Sequence, residues 1–233
     1  MTNPFYSSEQ AEQSKAVLDD LLAPVPEAIL IGGWGTWARV GGAMSHDVDL
    51  IVSRAELNQV RGMVDELSES HHLAGTKWRG TWRGIHVDLY APYQSRLGAN
   101  LQLRVEALVP YAEVVEGRQL LSVPAHVATK VAALLDRPDS LPGRKDRQEL
   151  LSLLALPGSA QAPAVIKAAS ARTATEVAAL IERTFAYLSG QPELTRKDRA
   201  NLRQMAQHWQ LMAGPGPSSD LPSTPSSNRG VDL

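Results

Sequence analysis

Apolar and polar positions alternate with a period of two in short runs over roughly the first half of the chain, and with a helical period after that. Residues 28–31, Ala-Ile-Leu-Ile, form a continuous apolar run read as a buried strand. Val48, Leu50 and Val52 alternate with Asp47 and Asp49, and Ile85, Val87 and Leu89 alternate with His86, Asp88 and Tyr90. Both segments predict strands, and 77–82 reads as the hairpin partner of the second. Helical periodicity predicts a helix at 8–22 with the capping pattern Ser7-x-x-Gln10, a short helix or helical turn at 34–40 closed by Gly41-Gly42, and a helix at 54–68. Pro124 suits the first turn of another helix, whose apolar stripe is Val127, Val131, Leu134 and Leu135. Beyond Pro157-Gly158-Ser159 the pattern is wholly helical, with 163–170, 173–188 (box Thr173-x-x-Glu176) and 195–212 expected to form a small bundle. Residues 214–233 are punctuated by Pro, Ser and Gly and lack the apolar content to order themselves. The reading is therefore an α+β fold: a strand-bearing domain at 1–120 with a mixed sheet flanked by helices, a helical domain at 121–213, and a disordered tail.

Composition narrows the class without naming an activity. With 233 residues and 43% hydrophobic content, the chain can bury one good core or two small ones. It contains no Cys, which excludes disulfides, a thiolate nucleophile and cysteine-ligated zinc. The start, Met1-Thr2-Asn3-Pro4-Phe5, lacks the features of a signal peptide, and no run approaches the roughly 18 apolar residues of a membrane span. A cytoplasmic protein is expected. The formal charge of −2 argues against a surface coated for indiscriminate nucleic-acid binding. Local basic clusters remain, with Lys77, Arg79 and Arg83 interleaved with Trp78 and Trp82, and Arg137, Arg144, Lys145 and Arg147 further on. The six histidines show no metal-ligand spacing and read as surface or satisfied residues.

The candidate chemistry lies in carboxylates. On a strand Asp47 and Asp49 share one face, about 7 Å apart at a rise of roughly 3.3 Å per residue, a spacing that can hold Mg²⁺. They follow Gly32-Gly33 by thirteen residues, as suits a metal-bound nucleoside triphosphate near a glycine turn. An Asp-x-Asp near glycines is common by itself. A third carboxylate, Asp88, sharpens it: set among Ile85, Val87 and Leu89 it needs a compensating charge, and a cation held by Asp47 and Asp49 would supply one. Lys130 flanks the apolar stripe of its helix, one turn from both Val127 and Leu134. It reads either as a snorkelling lysine or as a triphosphate contact. Asp146, on the helical face of Leu150 and Leu153, reads either as an orienting partner of Lys130 or as a first-turn aspartate favoured by the helix dipole.

A small-residue turn, a spacer, Asp-x-Asp on a strand and a later Asp on a neighbouring strand resemble the nucleotidyltransferase fold of the polymerase-beta superfamily. Residues 130–137, Lys-Val-Ala-Ala-Leu-Leu-Asp-Arg, and 144–150, Arg-Lys-Asp-Arg-Gln-Glu-Leu, resemble those of the AbiEii-type nucleotidyltransferases, the toxin halves of abortive-infection systems. The resemblance spans about residues 25–156. It implies Mg²⁺ at Asp47, Asp49 and Asp88, catalytic roles for those three with Lys130 and Asp146, and nucleotide contacts from Gly32, Gly33, Ser45 and Lys130. It further implies an RNA acceptor such as a tRNA 3′ end, and an antitoxin protein as partner. The sequence departs from the family where relatives carry a basic residue before the paired aspartates, since here the approach is Gly41-Gly42-Ala43-Met44-Ser45-His46. Gly33 also stands where many relatives have Ser, so phosphate contacts fall to Ser45, to backbone N–H groups near Gly33, or to a distant Lys or Arg. Two rival readings are an enzyme adenylylating a small hydroxylated antibiotic and a non-catalytic nucleotide-binding module of the same fold.

Overall fold

The computed structural model describes residues 8–72 and 75–213. The strands are β1 (Ile29–Leu30), β2 (Asp47–Ile51), β3 (Asp65–His72), β4 (Gly75–Trp82), β5 (Ile85–Tyr90), β6 (Arg96–Leu97), β7 (Leu103–Arg104), β8 (Ala112–Val115) and β9 (Arg118–Leu121). The helices are α1 (Ser8–Leu22), α2 (Gly32–Val40), α3 (Arg54–Val60), α4 (Val105–Leu108), α5 (Val123–Asp136), α6 (Leu141–Leu154), α7 (Ala162–Ala169), α8 (Ala174–Ser189) and α9 (Arg196–Ala213). Seven strands form one mixed sheet in the order β3-β4-β5-β2-β1-β9-β8, and β6 pairs with β7 separately. This is the α+β class that the pattern predicts.

Strand alternation decides which layer each side chain joins. Val48 and Leu50 of β2, Val87 and Leu89 of β5, and Leu30 of β1 enter one core with Val17, Leu18 and Leu21 of α1. Ile29, Ile31, Ile51 and Leu121 enter a second core on the opposite face, built mainly by α5 to α9. Asp47, Asp49 and Asp88 therefore lie on the face that the later helices cover. A gap between that face and α5 and α6 is where function can reside.

Several boundaries differ from the sequence pattern for physical reasons. The helix expected at 54–68 stops at Val60, and residues 65–72 are instead an edge strand antiparallel to β4. That segment, Asp-Glu-Leu-Ser-Glu-Ser-His-His, carries little apolar signal because an edge strand exposes much of itself, and its charges discourage edge-to-edge pairing. Gly32 and Gly33 form the first turn of α2 rather than a loop before it, and Gly41, at φ +67°, caps it. The hairpin β8–β9, turned through Glu116 and Gly117 with positive φ at both, gave no clear signal in the sequence, and its second strand lies parallel to β1. The Thr173 capping box is present as expected, and Trp209 of α9 packs edge-on against Phe185 of α8 at 5.2 Å. The expected cap at Ser7 and the expected tail at 214–233 lie outside the described residues.

Candidate active site

A cavity of about 600 Å³ opens between the sheet face and helices α5 and α6. The candidate catalytic and nucleotide-binding residues line it: Gly32, Gly33 and Ser45 from the α2 side, Asp47, Asp49 and Asp88 from the sheet, Lys130 and Asp146 from the helices. β2 and β5 run parallel with Asp49 opposite Asp88 in register, so the carboxylates converge by strand pairing. Strands there lie about 4.8 Å apart.

Each carboxylate has a different setting. Asp47 accepts a hydrogen bond from Ser45 Oγ at 2.6 Å. Burial works to raise its pKa, but that hydrogen bond and the charges of His46, Lys145 and Lys130 outweigh it and hold Asp47 below its ordinary value. Asp49 is pushed up to about 8, first by burial and then by the negative charges of Asp47 and Asp88. Its Oδ2 lies against Gly32, where a Cβ would occupy the same space, and Gly32 has φ +64°. Glycine is required there both by the left-handed backbone and by the close approach.

Asp88 finds compensating charge within the protein, from Lys77 and Arg79 of the neighbouring strand. Lys77 Nζ donates to Oδ2 at 2.8 Å, while Arg79 donates through Nε to Oδ1 at 2.7 Å and through Nη2 to Oδ2 at 2.8 Å. Arg79 and Asp88 are register partners across β4 and β5, so the fork meets the carboxylate broadside. Burial pushes the Asp88 pKa up, but these bonds overcome it and hold the group below its usual range. Arg79 and Lys77 alternate with Trp78, which points into the core on the opposite face, 3% exposed.

The helices contribute a buried ionic cluster. Lys130 lies between Asp146, at 3.2 Å, and Glu149, with which it makes a very short contact. Burial opposes its charge, but Glu149 and Asp146 more than offset this and raise its pKa. Arg137 Nε donates to the other Asp146 oxygen at 2.8 Å. Lys145 lies 3.7 Å from Glu149 Oε1 and donates to Ser45 Oγ at 3.1 Å. A polar chain thus runs from Asp47 through Ser45, Lys145, Glu149, Lys130 and Asp146 to Arg137.

The sequence missed Glu149, although its spacing of three from Asp146 and four from Lys145 puts all three on one helical face. His126, read with the other histidines as a surface or satisfied residue, is fully buried behind the glycine turn, 3.2 Å from Thr36 Oγ1 and 3.3 Å from the Gly32 carbonyl oxygen. Burial lowers the His126 pKa to about 3, so it is neutral. The basic clusters divide differently from their order in sequence. Arg83 pairs with Asp20 at 2.6 Å and stacks on Trp82, away from the carboxylates. Arg147 bonds Gln191 and the Pro138 carbonyl oxygen, and Arg144 is exposed outside the cavity lining. Arg79, Arg96 and Arg137 line the cavity instead.

Among the described residues, no group of three or more His, Cys, Asp or Glu side chains is close enough to hold a metal ion. Asp47 and Asp49 remain as hard oxygen donors, and Mg²⁺ characteristically takes one or two carboxylates and completes its shell with substrate phosphates and water. Burial, and then the charges of Asp47 and Asp88, disfavour the ionised form of Asp49, and a bound cation would favour it.

No protein-family model matches the chain, and no curated protein matches it. Among solved structures, a "putative nucleotidyltransferase from H. pylori" is 14% identical, with a TM-score of 0.44 over 88% of this chain and 94% of that one. An antigenic nucleotidyltransferase-like protein from Paracoccidioides brasiliensis is also 14% identical, with a TM-score of 0.43 over 86% of this chain and 94% of that one. At that level neither likeness assigns an activity. Among the described residues no single helix is long and apolar enough to cross a membrane.

Proposed function

We propose that the protein is a Mg²⁺-dependent nucleotidyltransferase that moves a nucleoside monophosphate from a nucleoside triphosphate to an acceptor hydroxyl, with RNA such as a tRNA 3′ end as the acceptor. The observation that carries this reading is the convergence of Asp47, Asp49 and Asp88 on one wall of a cavity whose adjoining wall is the glycine-opened N-terminus of α2. Asp47 and Asp49 would hold Mg²⁺, which when bound supplies positive charge to the triphosphate at the point of transfer. Gly32 and Gly33 let the backbone approach the phosphates closely. The acceptor oxygen bonds to the α-phosphorus, the bond to pyrophosphate breaks, and the hydroxyl proton passes toward Asp88. Asp88 becomes a better base when Lys77 and Arg79 turn from it to phosphates of the acceptor.

Support for a polyanionic acceptor comes from the rim. Arg79 and Arg137 keep about half of their side chains in solvent, at 55% and 51%, and Arg96 is exposed. A small cationic antibiotic would meet the wrong charge there. In a toxin setting, an antitoxin protein would restrain the activity. Incubation of the purified protein with Mg²⁺, each labelled nucleoside triphosphate, and either total RNA or an antibiotic panel tests the proposal. Labelled RNA is the expected result, and label on a drug or on nothing would overturn it.

A further inference from the structure

We infer that Lys145, positioned by Ser45, is the clamp for the outer phosphates of the triphosphate at the N-terminus of α2, so that the phosphate tail lies on the α2 and α6 side of the cavity and the acceptor enters past β4 and β5. The inference rests on the nucleotidyl-transfer reading and deepens it.

Gly33 shows where the clamp sits. A Cβ built on it would meet Ser45 Oγ at 2.5 Å and Lys145 Nζ at 2.9 Å. The space that any other residue would fill is therefore occupied by a hydroxyl and an ammonium group brought from a loop and from α6. The nine-residue helix α2 begins beside them, and Ile31 gives the N–H groups of its first turn no side-chain cap. A helix N-terminus beside a fixed cation suits an oxyanion of a phosphate, with the Ser45 hydroxyl holding that cation in place.

Lys145 is 7% exposed, yet it is part of the cavity lining. Lys130, the cation singled out from the sequence for this task, has Asp146 and Glu149 both against its ammonium. On the opposite wall Lys77 and Arg79 are engaged by Asp88. Ser45 completes the device: it accepts from Lys145 and donates to Asp47, which fixes the ammonium relative to the carboxylate that would hold the metal.

Isothermal titration of the full chain in Mg²⁺ with ATP, GTP, CTP and UTP, the four monophosphates, and inorganic tripolyphosphate tests this. The parent protein is expected to bind at least one triphosphate, and tripolyphosphate, about tenfold or more tighter than any monophosphate. Lys145→Met is expected to weaken triphosphate and tripolyphosphate about 10- to 100-fold while monophosphate affinity stays within about twofold, and Lys145→Arg to restore part of the loss. Ser45→Ala should weaken the same ligands several-fold. A folded Lys145→Met protein, checked by thermal melting, that keeps the parent's triphosphate preference overturns the clamp and leaves nucleotidyl transfer standing. A parent that binds no triphosphate removes both. Should Lys145→Met not fold, an unchanged triphosphate preference in Ser45→Ala overturns the clamp.

Discussion

Asp49 and Asp88 face each other as register partners on parallel strands, yet their electrostatic settings are opposite. Asp88 is met by Lys77 and a forked Arg79, while Asp49 has two negative neighbours and the backbone of Gly32 against its carboxylate. In the absence of metal the repulsion is concentrated on one residue. Asp49→Asn is accordingly expected to abolish transfer while leaving the fold intact or slightly stabilised. Circular dichroism with an activity assay checks this, and full activity in the folded variant would sink the metal-dependent reading.

Lys130→Ala is expected to cost about 3–5 kcal/mol of stability, because it strands two buried carboxylates, Asp146 and Glu149. Denaturant unfolding measures the loss. Adding Glu149→Gln should recover part of it. A single substitution that changes stability by less than about 1 kcal/mol would mean that the ionic cluster is far better hydrated than its burial indicates.

Gly32→Ala is expected to destabilise the protein by about 1–3 kcal/mol through backbone strain, with a further loss as the new methyl group displaces Asp49. Thermal melts of Gly32→Ala and of Gly32→Ala with Asp49→Gly separate the two contributions. The double variant should regain the part due to collision and not the part due to φ.

His126 gives the protein an acid sensitivity of definite sign. Its native pKa, lowered to about 3 by burial, lies below the 6.5 of an exposed histidine, so the unfolded chain binds the proton that the folded chain refuses. Stability from this residue is constant above pH about 6.5 and is lost as pH falls from there toward 3. Unfolding free energies measured between pH 7 and 4 should decline more steeply in the parent than in His126→Asn. Equal slopes would contradict the buried, neutral assignment.

RNA binding should separate arginines that adjoin each other in the sequence. Arg79→Glu and Arg137→Glu are expected to lower RNA affinity and flatten its dependence on salt, because both line the cavity rim. Arg83→Glu should do neither, since Arg83 is paired with Asp20 and stacked on Trp82. Filter binding across a salt series checks this. A loss from Arg83→Glu equal to that from Arg79→Glu would relocate the RNA path.

The sequence by itself determined what depends on neighbours along the chain. The period-two alternation put Asp47 and Asp49 on one strand face and Asp88 on another, and the 3.6-residue period, with Pro124 and Thr173 as starts, set α5 and α8. Glu149 was legible in principle, by its helical spacing from Lys145 and Asp146. Tertiary structure alone decided which strands pair, and with it everything that depends on register: Asp49 opposite Asp88, Arg79 turned onto Asp88 and Arg83 turned away, β9 laid beside β1. It also decided that Lys145 crosses one hundred residues of sequence to reach Ser45, and that Lys130 is held by carboxylates on the next helix. Periodicity reports which face of an element is buried, because the core rewards apolar side chains wherever that face happens to pack. It carries no information about the partner across the gap, and a charged group's chemistry is set by that partner.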